Sequence, residues 1–419
     1  MLLFSTDGSR ISTRRLLQGS LTTIALALPL AAMAQYGHVR STFPKSYTGP
    51  WQLYSTATGL DISVYADFTS CRQAAVTGAD MACKPVTTTR SDTATTPVVQ
   101  PASATPPVMN GAFPIDASSL PKGSTGYAYD RVQATSEIAP PAVDVGSFRV
   151  PCAYSHMAFD DPIVYPGRPG ASHLHTYFGN TATDANSTAQ SIATTGNSTC
   201  LGGTINRSAY WVPSMIDTAT SKPVAPDSAG FYYKQGYALN PASIIQPLPS
   251  GLRMIAGDPT NTRPGSIIAK FHCSGGPNNS NNQYGSEIPS CDAGAQVVQV
   301  ITFPQCWDGT NLDSPDHKSH MSYVVPIPQW PWFTCPTSHP VPLPEITFNI
   351  MYTVQTAGAA KAWRLSSDTY DTSLPGGYSS HGDWFNGWKK DISDAWNAGC
   401  IQARRDCHAH LLGDGRMMY

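Results

Sequence analysis

Charge is scarce in this chain. Asp, Glu, Lys and Arg make up only 13% of its 419 residues, and the net charge is −2. No basic field exists to hold a phosphate backbone, which sets nucleic acid aside as a partner. Local fingerprints are lacking too. There is no H-E-x-x-H, no phosphate loop, no dinucleotide glycine pattern and no nucleophile elbow, so a serine-hydrolase reading has no local support. No C-x-x-C pair occurs, which argues against a structural cysteine–zinc site. No internal repeat is found, and no run after the first 34 residues reads as a membrane span, so no stable membrane anchor is expected.

What the chain does have begins at its start. Arg14-Arg15 precedes a mostly apolar run that ends at Ala32-Met33-Ala34, a small-x-small cleavage site. Residues 1–34 read as an export leader, of twin-arginine type, with an ordinary secretory signal as the alternative. A secreted or periplasmic protein follows. All ten cysteines lie beyond the leader, and an even count in an exported chain reads as up to five disulfides. Residues 35–84 hold the first cysteine pair, Cys71 and Cys83. Residues 85–145 are Thr/Pro/Ala-rich and read as a linker. The main domain is expected at 146–407, with a tail at 408–419.

Within the domain, Ser266–His272, Ala295–Phe303 and Ser319–Pro326 are β-branched, aromatic and bounded by breakers, as strands are. Ile346–Val354 alternates almost strictly, with Ile346, Phe348, Ile350 and Tyr352 on one face. One helix is expected late, from Trp388 through Ile392 and Trp396 to Cys400. Many short strands and one C-terminal helix predict a mainly antiparallel β sandwich with long loops, stapled by disulfides.

The titratable groups concentrate in turn-rich loops, where function tends to sit. The run Cys306–His320 holds Asp308, Asp313, Asp316, His317, Lys318 and His320 between apolar segments. Asp161 and Arg168 lie in a second loop, followed by His173, His175 and Tyr177. In an extended chain His173 and His175 share a face, an arrangement common to metal and acid–base sites. His339 sits in a Pro-rich loop. His381 and Asp383 flank Gly382, with Trp384 as a candidate sugar platform and Trp388 as core.

Read in order, these segments resemble the domain-of-unknown-function 1996 family. The pattern appears as Phe148-Arg-Val150, Asp161-Pro-Ile-Val-Tyr-Pro-Gly167, His173-x-His175, Tyr210-Trp-Val-Pro213, Phe303-Pro-x-Cys306-Trp-Asp-Gly309, Leu312-Asp-Ser-Pro-Asp-His-Lys-Ser-His320, His339-Pro-Val341 and His381-Gly-Asp383. It spans roughly residues 146–400, and the Cys306–His320 run is its most specific part. The resemblance implies a secreted protein of bacteria or fungi, whose fungal members can carry carbohydrate-binding modules. It brings no reaction, so it assigns no catalytic roles. The usual Phe after His-Gly-Asp is Trp384 here.

The leading expectation is a carbohydrate-active enzyme, monomeric, hydrolysing a polysaccharide or cell-wall glycan. Asp313, Asp316, His317, His320, His381 and Asp383 are its candidate catalytic groups, with Asp316 beside His317 as base or nucleophile. Asp161, Arg168, Tyr177, Lys318 and Trp384 are candidates for substrate contact. A lyase variant uses His320 or Tyr323 as base and Lys318 or Arg168 against a uronate. A second class is a metal protein, with His173, His175 and one or more of His317, His320 and His381 around zinc or copper. A third is a non-catalytic glycan-binding protein whose polar motifs are a structural network.

Overall fold

Alternation decides the centre of the molecule. Ile346, Phe348, Ile350 and Tyr352 are all fully buried on one side of the strand Glu345–Thr353, as period-two side chains require. The computed structural model describes residues 113–276, 283–328, 332–408 and 410–419, and the backbone alone of the short strands Trp51–Ser55, Asp61–Tyr65 and Met81–Pro85.

Eleven strands form the two principal sheets: β1 (Ser147–Cys152), β2 (Tyr154–Ala158), β3 (His175–Gly179), β4 (Ala209–Pro213), β5 (Ser228–Lys234), β6 (Arg253–Gly257), β7 (Ala269–Ser274), β8 (Gln296–Thr302), β9 (Glu345–Thr353), β10 (His381–Phe385) and β11 (Asp406–Cys407). The six-stranded sheet runs β7-β8-β9-β5-β1-β11 and the five-stranded sheet β6-β10-β4-β3-β2. All pairs are antiparallel except β11 beside β1.

The sheets pack face to face through aromatic rings. Tyr210 of β4 stacks on Phe231 of β5 with centroids 3.9 Å apart, and Phe178 of β3 meets the same ring edge-on at 5.7 Å. Gly382 of β10 lets them approach, since a Cβ there would stand 3.1 Å from Ile301 and 3.3 Å from Phe348. The mainly β sandwich read from the sequence is therefore the architecture that forms. The late helix forms at Lys390–Trp396 and runs on as a π-helical turn, Asn397–Gln402. Trp396 stacks on Phe148 at 5.1 Å and Trp388 meets it edge-on at 5.8 Å, so both pack in the core.

Four disulfides close loops onto this frame: Cys152–Cys200, Cys273–Cys291, Cys306–Cys335 and Cys400–Cys407. Cys71 and the side chain of Cys83 lie outside the described residues, as do the leader and residues 86–112 of the expected linker. The end of that linker departs from expectation. Residues 113–145 lie on the domain, with Phe113 and Ala139 buried and Val132–Ala134 paired to Arg416–Met418. The tail likewise buries Leu411, Leu412 and Met418. Isolated apolar residues in Pro- and Ser-rich text give no periodicity, yet each fills a gap in a core built by other segments. The expected strand Ser319–Pro326 breaks into Met321–Ser322 and Val325–Pro326, because its two halves pair with different segments, Cys306–Trp307 and Phe333–Thr334. Among the described residues no helix is long and apolar enough to cross a membrane.

Candidate functional site

Strand alternation sorts β10 into two faces. Gly382 and Trp384 point at the other sheet, so His381 and Asp383 point outward. On the neighbouring strands Trp211 lies opposite Asp383, and Tyr177 opposite Trp211, on the same outer face. A small second core of Ile163, Tyr177, Ile192, Trp211, Ile255 and Phe385 roofs that face. The site forms where polar groups enter this roofed layer.

Three imidazoles converge there. The rings of His173 and His175 are 4.2 Å apart, as their i, i+2 spacing predicts, and His381 Nε2 is 3.2 Å from His173 Nε2. One ring nitrogen of each of the three lies within 4.8 Å of the others. A carboxylate oxygen of Asp161, one of Asp383 and a ring nitrogen of His175 likewise lie within 4.8 Å of one another. His175, His381, Asp161 and Asp383 are buried, and His173 is half-buried, so it marks the mouth.

Backbone carbonyls fix the tautomers. His175 Nδ1 is 2.9 Å from the carbonyl of Asp160, and His381 Nδ1 is 2.8 Å from that of Ser379. A carbonyl only accepts, so each Nδ1 carries the proton and donates, leaving each Nε2 a bare lone pair. Among the described residues His175 Nε2 and Asp383 Oδ2 are buried without a hydrogen-bond partner. Asp383 Oδ2 lies 3.9 Å from His381 Nε2, with no donor between them.

Burial governs the titration of this layer. It pushes His175 down to about 4 and His381 down to about 3, the latter aided by His175. His173 falls well below the usual imidazole range through burial and its two histidine neighbours. Burial raises Asp161 to about 6 although the amides of Val164 and Ile163 donate to it at 2.9 and 2.8 Å. Asp383 rises well above the usual carboxyl range, through burial and then Asp161.

The Cys306–His320 run lies along β6, the edge of the five-stranded sheet. Arg253 N donates to Leu312 O at 3.0 Å, His320 Nε2 donates to Arg253 O at 2.7 Å, and Lys318 Nζ donates to Gly257 O at 2.9 Å. Several of its residues therefore differ from their expected roles. His320 is buried with its other nitrogen bonded to Ser314 Oγ, so neither nitrogen is free to act as a base. Asp316 organises the turn: against partial burial, bonds from Ser319, Ser314 and Lys318 hold its carboxyl well below the usual range. Asp313 binds Arg253 Nη1 at 2.8 Å and His317 Nδ1 at 3.0 Å. His317 is half-buried with a left-handed backbone, φ 58°.

Two substrate candidates are enclosed instead. Trp384 is fully buried between the sheets because it follows the outward-facing Asp383. Tyr177 is fully buried, stacked on Trp211 at 5.5 Å, and its hydroxyl donates to Asp160 O at 2.5 Å. Tyr323, half-buried, donates to Thr302 O at 2.9 Å. Arg168 is exposed, 5.4 Å over the ring of Tyr165, and Lys318 is exposed at the mouth. His339 supports the loop through Ser319 O at 2.9 Å.

The sequence reading missed Asp368. Fully buried, it accepts from Leu365 N at 2.9 Å, Gly377 N at 2.8 Å and Ser379 Oγ at 2.6 Å. Ser379 in turn supplies the carbonyl that orients His381. An Asp between serine and threonine looks like any turn residue, so no signal in the chain marks it.

A family model described as domain of unknown function (DUF1996) matches residues 161–388, which include every member of the cluster. No curated protein and no solved structure matches the chain.

Proposed function

The chain belongs to the DUF1996 family, and we propose that it is an extracytoplasmic metalloenzyme with one transition-metal ion held by Nε2 of His173, His175 and His381. One observation carries this reading: lone pairs of His175 and His381, fixed by backbone carbonyls, converge with His173 and Asp383 with no donor committed between His175, His381 and Asp383. Carbonyl-anchored imidazoles are the usual second shell of metal ligands. A tetrahedral ion with bonds of about 2.0–2.1 Å needs ligand atoms about 3.3 Å apart, and the His173–His381 separation is 3.2 Å. Three imidazoles suit zinc or copper. Asp161 and Asp383 supply the negative charge that a divalent ion neutralises in a buried layer.

A bound ion of this kind supplies Lewis acidity and a water of lowered pKa for hydrolysis. Carbohydrate polymers are the proposed substrates, on the export leader and the company the family keeps. The four disulfides of the described residues fit an oxidising compartment. Hydrolysis by Asp161 and Asp383 alone is less favoured, because a sugar must reach between two catalytic carboxyls and these are 3% and 1% exposed. Elemental analysis of protein purified without chelator tests the proposal. About one equivalent of zinc or copper is expected, falling below about a tenth in His175→Ala. Wild-type protein that neither carries nor takes up either metal overturns it.

A further inference from the structure

We propose that Lys318 anchors an anionic group of the substrate at the mouth of the metal centre, so that the polymer taken is an acidic, uronate-bearing one. This rests on the metalloenzyme reading for the ion and for the carbohydrate class.

Placement comes first. Lys318 Nζ is bonded to Gly257 O, and Gly257 lies opposite His381 in the β6–β10 ladder. Facing Cα atoms in such a ladder are about 4.5–5.5 Å apart, which sets the ammonium about one strand from a proposed ligand. Gly257 holds this register by close approach: its φ is +85°, and a Cβ would stand 2.4 Å from Ser380 O. The lysine is held at its backbone as well, where its N–H donates to Asp316 Oδ1 at 3.2 Å. The disulfide Cys306–Cys335 ties down the start of the same loop. An ordinary surface lysine is a mobile, solvated charge; this one is fixed at both ends.

Charge balance comes second. Among the described residues no carboxylate lies within ion-pair distance of Lys318. The acids around it are committed elsewhere. Asp313 serves Arg253 and His317, Asp316 serves the turn, and Asp258 Oδ1 accepts from Thr260 N at 2.8 Å and Thr260 Oγ1 at 2.7 Å. A divalent ion cancels the charges of Asp161 and Asp383. The rim then presents a preoriented ammonium with no carboxylate in ion-pair contact with it. A sugar carboxylate answers that charge with a charge-assisted hydrogen bond.

Binding of metal-loaded protein to polygalacturonate, alginate and glucuronoxylan, each beside its carboxyl-reduced neutral form, tests this. At least one acidic polymer is expected to bind, about tenfold more tightly than its reduced form. Lys318→Gln is expected to lose about that factor with its metal content unchanged, and Lys318→Arg to recover part of it. Equal binding of acidic and reduced polymers, equal binding by wild type and Lys318→Gln, or binding of a polyphosphate alone overturns the assignment. Loss of metal in Lys318→Gln also overturns it, since the lysine would then act on the ligands. Failure of the metalloenzyme reading shows separately, as wild-type protein without metal.

Discussion

Removing the charge of Asp161 is expected to stabilise the metal-free protein. Its carboxyl is held at about 6 in the fold against 3.8 as a free group. At about 1.4 kcal/mol per pH unit, keeping it ionised at neutral pH costs the folded state about 3 kcal/mol. Asp161→Asn keeps an oxygen for the amides of Ile163 and Val164, which donate to Oδ1 at 2.8 and 2.9 Å. The sign follows from linkage. Below pH 3.8 the carboxyl is neutral in folded and unfolded chains, so wild type and variant are alike. As pH rises from there to about 6, the unfolded carboxyl ionises first and wild type loses stability, after which the difference is constant. Thermal unfolding in chelator at pH 7.5 should show the variant melting about 5 °C higher for a domain of this size, with little difference at pH 3.5. Zinc should reverse the order, because the wild-type carboxylate favours the cation. Equal melting at pH 7.5, or a variant less stable at both pH values, refutes the account.

Asp368→Ala strips the acceptor from Leu365 N and Gly377 N and leaves Ser379 Oγ only Ser367 Oγ in a dry interior. It should cost about 3 kcal/mol or more in urea unfolding and weaken metal binding about 10–100-fold by freeing His381; full metal affinity would show that Ser379 is positioned by other means. Gly382→Ala puts a methyl against Ile301 and Phe348 at 3.1–3.3 Å. A loss of about 1–3 kcal/mol is expected from overpacking, and unchanged stability would mean the sheets can part.

The strands were legible because Ile346–Tyr352 carries a period of two in its apolar residues and Ala295–Phe303 is a β-branched run bounded by breakers. His173 and His175 were legible as a pair for the same reason. The pairing of these with His381 is a matter of strand order, which periodicity does not encode. Nor does it say which face of β10 looks outward, so Asp383 and Trp384 both read as candidates when only Asp383 reaches the site. Asp316 and His320 were attractive because titratable groups in turns resemble sites. Their hydrogen bonds to Ser319, Ser314 and Arg253 show such groups building the loop itself. Residues 113–145 escaped because packing of single apolar side chains leaves no pattern.

The loop along β6 has a further consequence. A sheet margin with bare amides and carbonyls is a template for another chain, and Leu312, Lys318 and His320 occupy that margin at Arg253 and Gly257. A lesion in this segment, or reduction of Cys306–Cys335 that slackens it, therefore threatens colloidal behaviour as well as turnover. Activity lost in such variants can be self-association rather than altered chemistry. Light scattering of each loop variant, before any kinetic comparison, separates the two.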